Sequence, residues 1–415
     1  MKKSTKDFLV VGFALFAMFF GAGNLIFPPY LGNLVGDQYL IAMVGFILTG
    51  VGLPLLAIIA CTKGDGTFET MASKIGPKFA IIFATLLFIA IGPMLGIPRT
   101  AATTYELTIS PLFPNVAPLT WMIIYFAINL IFVFSKSGII DAIGKYLTPA
   151  LFIILAFLII RGIINPTAAV VSTDATSVFS TSFLEGYQTM DALAALLFAA
   201  IVSGNIINKG YGKEKMFPMT VKASLVAAIG LAFVYGGLTY IGAQSAGAIG
   251  HDISKTALLL LISKNILGNF GPTLIGIAMG LACLTTSVGL LTAGAAFFEE
   301  VSKGKLPYKV NAVIIAIISV FIGRLGVDNI IVISGPILNV LYPVAITLII
   351  TTLLDKVLTN VKAIRLGVYT SLIFGILGII PSINLKFIPL ASVGFAWLIP
   401  TVIAIVIGNI IFREK

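Results

Sequence analysis

Runs of apolar residues long enough to cross a bilayer recur from Phe8 to Phe412, separated by short polar loops. That pattern restricts the chain to membrane helices. The runs lack the strict alternation of barrel strands, and backbone polar groups in lipid must be satisfied within the helix itself. Composition agrees: 59% hydrophobic and 10% charged residues, at a mean hydropathy of +1.09, leave too few charges to cover a soluble globule of 415 residues. The runs divide into about twelve spans, at 8–29, 38–61, 79–99, 119–134, 147–164, 187–207, 218–244, 271–298, 311–324, 330–354, 366–381 and 389–412. Two longer excursions, Asn165–Gly186 and Ala246–Phe270, fall on one side and are expected to be short helices over that face or irregular loops. The first apolar run ends in Pro28-Pro29-Tyr30 rather than a small-residue cleavage site, so the first helix is expected to be retained.

A net charge of +10 would suit nucleic acid in a soluble protein, but here the distribution of the charge over the loops is what matters. With the N-terminus in the cytoplasm, only Arg99, Arg161, Lys255, Lys264, Arg324 and Lys386 of the 26 basic residues fall outside or in the outer half of a helix. Both termini are therefore expected to be cytoplasmic, and no nucleic-acid partner is needed. Cys61 and Cys283, the two cysteines, lie in or beside apolar segments, which argues against a disulfide framework or zinc site. The single histidine, His251, falls in an outside loop, where it cannot build a catalytic triad or proton relay. Gly21-Ala22-Gly23 does not continue to a dinucleotide fingerprint, and no Walker-type loop occurs, so the chain is expected to be neither an enzyme nor directly driven by ATP. A channel would need a continuous polar lining that the spans lack, and a sensor would usually append a soluble output domain.

Within the first span, Phe19-Phe20-Gly21-Ala22-Gly23-Asn24 carries the wrong residues for a plain anchor. Two glycines weaken the helix, Asn24 offers side-chain bonds to backbone, and Pro28-Pro29 is expected to end the run. Either a neighbouring helix approaches closely at Gly21 and Gly23, or the backbone opens onto a cavity. The sixth span repeats the anomaly. Its continuous apolar part, Ala192–Val202, is too short for a core about 30 Å thick, so it must recruit Gly186–Asp191 on one side and Ser203-Gly204-Asn205 on the other. Gly23-Asn24 and Gly204-Asn205 then occupy matching places five spans apart. An odd-numbered repeat enters the membrane from opposite sides, and interrupted helices at matching positions of inverted halves point to a transporter binding site.

Three stretches carry a family resemblance: Phe16–Pro29, Ile97-Pro98-Arg99-Thr100-Ala101-Ala102-Thr103-Thr104-Tyr105-Glu106, and Glu185-Gly186-Tyr187-Gln188-Thr189-Met190-Asp191-Ala192-Leu193-Ala194. They resemble the signatures of bacterial branched-chain amino acid:cation symporters, and the likeness extends over nearly the whole chain. It implies an all-α integral membrane protein of the bacterial cytoplasmic membrane with a five-plus-five inverted repeat, broken helices 1 and 6, and two added C-terminal helices. Residues 1–165 and 166–355 would be the repeats, and 356–415 the addition. The implied activity is import of leucine, isoleucine or valine with a cation, Na⁺ favoured over H⁺, the other partner being the surrounding lipid.

An amino acid zwitterion needs partners for both charges in such a pocket. The amides of Ala22, Gly23 and Asn24 at a half-helix N-terminus suit its carboxylate. Carbonyls of the second break, across Gln188, Thr189, Met190, Asp191 and Ala192, with those near Phe20 and Gly21, suit the ammonium, and Phe20, Tyr105, Met190 and Leu193 the apolar side chain. Asp191 reads equally as a helix cap or as a proton carrier or ammonium partner. Carried over by position, the Na⁺ ligands would be the Thr285 and Thr286 hydroxyls with the carbonyls of Ala17, Phe20 and Ala282, hard oxygen donors for a hard cation. Hydroxyls such as Thr285 and Thr286 also bond commonly to carbonyls one turn earlier. Arg99 and Glu106, seven residues apart at the expected outer end of the third span, are candidates for an outer gate or for holding a broken helix.

Overall fold

The computed structural model describes residues 3–135, 139–250 and 252–412, and among these the regular structure is entirely helical. Lys2, Lys136, His251, Arg413 and Lys415 lie outside the described residues. The first span is two helices, α1 (Lys3–Phe19) and α2 (Ala22–Val35), and is followed by α3 (39–62), which carries a π-helical turn at Leu48–Gly52. A short α4 (Phe68–Ser73) leads to α5 (Pro77–Leu112), then α6 (Pro118–Phe134) and α7 (Ile139–Ile164). The second broken pair is α8 (Val178–Tyr187) and α9 (Asp191–Asn208), followed by α10 (Lys213–Ala243), the surface helix α11 (Lys255–Leu267) and α12 (Phe270–Val301). The chain continues through α13 (Tyr308–Gly323), α14 (Val327–Leu353), α15 (Val361–Ile379) and α16 (Leu398–Ile411). Length and composition support seven of the expected dozen or so spans: six continuous segments and the α8–α9 pair, bent by 41°. Five further apolar helical stretches, Asp7–Phe19, Pro118–Phe134, Pro149–Ile164, Tyr308–Gly323 and Leu398–Ile411, are shorter than a plain span.

Neighbours are arranged in exchange-related pairs. Helices α1 and α2 run along α10, while α8 and α9 run along α3; α7 meets α12 and α14 meets α5; α5 packs on α12 and α6 on α13. Helices α15 and α16 pair with each other beside α14. Missing side chains let the two broken pairs approach their supports. A Cβ on Gly32 of α2 would fall 1.9 Å from the Thr239 carbonyl oxygen, and one on Gly242 of α10 would fall 2.1 Å from that of Pro29. Gly186 of α8 lies against Thr49 of α3, whose hydroxyl donates to the Phe183 carbonyl at 2.9 Å. In lipid such close backbone contact substitutes for the hydrophobic drive between helices.

Several boundaries depart from expectation. Pro28-Pro29 does not end the first span, because α2 continues to Val35. A buried helix braced along α10 tolerates the two missing amides. The sixth span begins at Val178 rather than Tyr187, because the polar stretch read as an outside loop folds as α8. Gly204-Asn205 lies inside α9, so only Gly23-Asn24 sits at a break. The third span continues past residue 99 to Leu112 through π-helical turns at Ala90–Met94 and Tyr105–Ile109, which puts Arg99 mid-helix rather than at its end. Its hydroxyl-rich second half resembles a loop in composition yet faces protein: Gly96 to Thr104 are all buried.

One end of the bundle gathers both ends of the described chain. Tyr211 donates to Asp7 at 2.8 Å, Ser203 meets the Gly66 carbonyl, Asn360 donates to the Phe412 carbonyl at 2.7 Å, and Lys63 pairs with Asp355 at 2.6 Å. The bonded Lys63 ammonium holds the Asp355 carboxyl below its usual range. Lys63 also donates to the Leu353 carbonyl at the end of α14, at 2.9 Å. Replacing Gly32 with Val is expected to destabilise the detergent-solubilised protein by about 2–3 kcal/mol through overpacking against α10. Gly378→Ala, exposed with nothing within 4 Å, is the control and should leave the unfolding midpoint unchanged or slightly raised.

Candidate functional site

At the first break the backbone leaves the helix at Phe20 and re-enters it at Ala22, with Gly21 extended at φ −125° and ψ −164°. The Gly21 amide donates to Asn24 Oδ1 at 2.9 Å, which closes the turn. By helix geometry the carbonyls of Ala17, Met18 and Phe19 and the amides of Ala22, Gly23 and Asn24 then lack partners along the helix. The second break runs through Gln188 to Met190, a left-handed residue at φ 62° that no glycine relieves. Strained non-glycine backbone of this kind concentrates at functional sites.

A buried side-chain network joins the breaks. Asn24 Nδ2 donates to Asp191 Oδ2 at 2.6 Å and also to the Tyr235 hydroxyl, which in turn donates to Asp191 Oδ2 at 3.1 Å. All three side chains are at most 4% exposed. Asp191 therefore does not cap its own helix: it opens α9, and its carboxylate ties α9 to α2 and to α10. Its own amide meets Thr189 Oγ1 at 3.3 Å, while the Thr189 hydroxyl donates back to the Gly186 carbonyl at 2.9 Å.

Arg99 lies beneath the second break, 1% exposed. It donates through Nη1 to the Gln188 carbonyl and through Nη2 to Ser334 Oγ of α14 at 3.1 Å, with its Cζ 5.6 Å from the centre of the Phe27 ring. Ser334 donates to Gln188 Oε1 at 2.6 Å. Glu106 is elsewhere: it accepts from Thr256 of α11 at 2.6 Å and from the Val327 amide at the start of α14 at 2.9 Å. The two residues proposed as a gate thus do not pair. Arg99 holds one broken helix, and Glu106 fastens α11 and α14 to α5.

The breaks line a narrow cavity of about 40 Å³, well below the roughly 300–1,000 Å³ typical of small-molecule sites. It is lined by Gly21 to Asn24 and Thr189 to Asp191 from the breaks, by Arg99 and Thr100, by Thr286, and by an apolar side that includes Met18, Ala194, Phe198 and Leu290. Thr286 Oγ1 lies 3.4 Å from the Phe20 carbonyl oxygen. Thr285 turns away and donates to the Leu281 carbonyl of its own helix at 3.0 Å. Ala282 is buried one turn before Thr286 and Ala17 lies one turn before Phe20, whose ring stacks on Phe16 rather than lining the cavity. Leu193 and Ala192 are buried in α9 outside the lining. Tyr105 is also outside it: the π-helical turn swings its hydroxyl to the Val116 carbonyl, 2.9 Å away.

Sequence reasoning missed Tyr235, Ser334 and Phe198. Ser334-Gly335-Pro336 carried a signal, a helix-weakening step inside an apolar span, as did the lone Tyr235 before Gly236-Gly237. Phe198 had none, being one apolar residue in an apolar run.

The described residues thus form a helical membrane bundle with two helices broken around a shared cavity. Solved structures share this architecture: a nucleobase-cation-symport-1 family transporter, Mhp1, in a closed conformation with bromovinylhydantoin bound (14% identity, TM-score 0.64, 98% of this chain and 93% of that one), and MhsT in complex with L-phenylalanine (18%, TM-score 0.59, 96% and 98%). The sequence profile described as branched-chain amino acid transport protein matches residues 4–415. Two Bacillus subtilis relatives are similar over nearly their whole length: branched-chain amino acid permease BraB, 36% identical over 98% of this chain and 95% of that protein, and branched-chain amino acid permease BrnQ, 35% identical over 100% and 99%. The chain belongs to the branched-chain amino acid transport protein family.

Because the Tyr235 hydroxyl both donates to Asp191 and accepts from Asn24, Tyr235→Phe leaves a buried carboxylate short of a donor. The expected loss is about 1.5–3 kcal/mol of stability in a thermal or denaturant unfolding measurement. Unfolding identical to the parent protein would remove Tyr235 from the network.

Proposed function

We propose that the chain is a secondary active symporter that imports branched-chain amino acids, coupled to Na⁺ in preference to H⁺, by alternating access in a bacterial cytoplasmic membrane. One observation carries the reading: both helix breaks open onto the same buried cavity, so substrate and ion would act on one piece of unwound backbone. The substrate carboxylate suits the α2 N-terminus at Ala22–Asn24, where aligned amides favour an anion. The ammonium suits Asp191 and the freed carbonyls of the breaks, and the branched side chain the apolar side formed by Met18, Ala194, Phe198 and Leu290. Na⁺ suits the opposite polarity, the open carbonyl end of α1 at Ala17 and Phe20, with the Thr286 hydroxyl across the gap. An ion there would stabilise the geometry at Gly21 that the carboxylate needs, which couples the two ligands.

The exchange-related packing supports reading 1–165 and 166–355 as inverted repeats and 356–415 as two added helices, about twelve spans in all. With the shared end of the bundle cytoplasmic, as loop charge favours, both termini lie inside.

H⁺ coupling is the second reading, and Asp191 favours it. Among the described residues its buried carboxylate enters no ion pair, and an intramembrane carboxylate is a candidate proton carrier. Leucine uptake into proteoliposomes separates the readings. An inward Na⁺ gradient should drive accumulation without a pH gradient, and Thr286→Ala should raise the half-saturating Na⁺ concentration by about tenfold, the worth of one charge-assisted contact. Uptake driven by pH alone, and uncoupled by Asp191→Asn, would establish the proton reading. Uptake indifferent to both gradients would rule out symport.

A further inference from the structure

We infer that Arg99 is a ligand of the substrate's carboxylate, and that Arg99 and Asp191 form a pair of fixed opposite charges that the zwitterion neutralises when it binds. The inference rests on the reading of the cavity as an amino acid site and adds what distinguishes an amino acid from its apolar, amine or acid analogues.

Both side chains line the cavity, and both are buried, at 1% and 4% exposure. Among the described residues neither is in a contact ion pair. Arg99 is bonded only to the neutral oxygens of Gln188 and Ser334, and Asp191 only to Asn24, Tyr235 and Thr189. The ion pairs among the described residues, Lys63 with Asp355 and Lys209 with Asp7, involve neither. The Nε of Arg99 has no hydrogen-bond partner although it is buried. An unmet charged donor in low dielectric is costly, and structures keep one where a ligand supplies the acceptor. Glu185, a further buried carboxylate with an unpartnered oxygen, acts on Arg99 through space but makes no contact pair with it and is not part of the cavity wall.

Position assigns the ends of the ligand. The Gln188 carbonyl held by Arg99 lies 3.3 Å from where a Cβ of Gly23 would stand. The guanidinium is therefore next to the N-terminus of α2, and a carboxylate there meets the amides of Ala22–Asn24 and Arg99 together. Planar donors and helix N-terminal amides are the two strongest carboxylate partners a protein offers. Asp191, which accepts from Asn24 Nδ2 and also lines the cavity, is left for the ammonium. This arrangement explains why Gly23 is a glycine: a side chain would press on the Phe27 ring at 3.1 Å and on the Gln188 carbonyl, at the point of entry of the carboxylate.

The test is the pattern of affinities of the purified protein for leucine, leucinamide, which lacks the carboxylate, and 4-methylpentanoate, which lacks the ammonium, measured by competition against radiolabelled leucine. In the parent protein leucine should bind at least tenfold more tightly than either analogue. Arg99→Gln should weaken leucine by tenfold or more while leaving leucinamide within about threefold, so that the leucine-to-leucinamide ratio collapses towards one. Arg99→Lys, keeping the charge, should restore part of that ratio. Asp191→Asn should collapse the leucine-to-4-methylpentanoate ratio and spare the other. Parallel loss of leucine and leucinamide in Arg99→Gln would mean that Arg99 only braces the second break, and would overturn the inference. So would an unchanged ratio in folded Arg99→Gln or, if that variant does not fold, in Arg99→Met, which keeps the stem and removes the charge. Failure of the parent protein to bind leucine at all would instead count against the amino acid reading itself.

Discussion

The interaction on which the site depends is the buried contact of Asn24 with Asp191 and Tyr235. Breaking a helix inside a membrane exposes amides and carbonyls that lipid cannot satisfy. Here the break in the first span is closed on itself by Asn24 Oδ1, and the amide side of the same residue reaches the first residue of α9. One side chain thus terminates a turn and joins two elements that are 167 residues apart in the chain. Replacing Asn24 by Asp would place two carboxylates against each other, and replacing it by Leu would leave the Gly21 amide unmet and the Asp191 carboxylate with Tyr235 but without the Asn24 donor, so the chemistry of an amide is required at that place.

Around this link the four helix ends divide the cavity by polarity. The carbonyl end of α1 and the amide end of α2 face each other across Phe20 and Gly21, and the same opposition recurs between Gln188 and Asp191. Positive and negative ligands are then drawn to adjacent positions by partial charges already in place, which need no reorientation on binding. Close glycine contacts keep the scaffold rigid: α2 rests on α10 at Gly32 and Gly242, and α8 rests on α3 at Gly186. These contacts and the Asn24–Asp191–Tyr235 network tie α1, α2, α8 and α9 to α3 and α10 as one packed group.

Much of this was legible in the sequence because lipid makes local rules strict. The helical class and the first break followed from apolar length and from Gly21-Ala22-Gly23-Asn24, and Gln188 to Asp191 fell inside the stretch expected to be irregular. The misplaced boundaries failed for one physical reason, that polar residues facing protein look like loop residues. Thr100 to Glu106 lay beyond the expected third span and Ser180 to Glu185 in the excursion expected outside the membrane, yet both belong to broken or continued spans, and the hydroxyls of Thr100, Thr104, Ser180 and Ser182 are satisfied by carbonyls three or four residues earlier. That misreading moved Arg99 from the centre of the molecule to its rim and made an outer gate one of its two expected roles, the other being to hold a broken helix, as its bond to the Gln188 carbonyl does. Tyr105 and Thr285 were misdirected by a different effect, since the direction of a side chain depends on π-helical turns and helix rotation that residue spacing does not record.

The central claim is that the two breaks form one ligand site. A leucine-bound structure tests it directly. Density for leucine between the amides of Ala22–Asn24 and the Asp191 carboxylate, with both helices still broken, is the predicted result. Leucine bound away from Asn24 and Asp191, or a first span that is continuous through Gly21, would contradict it.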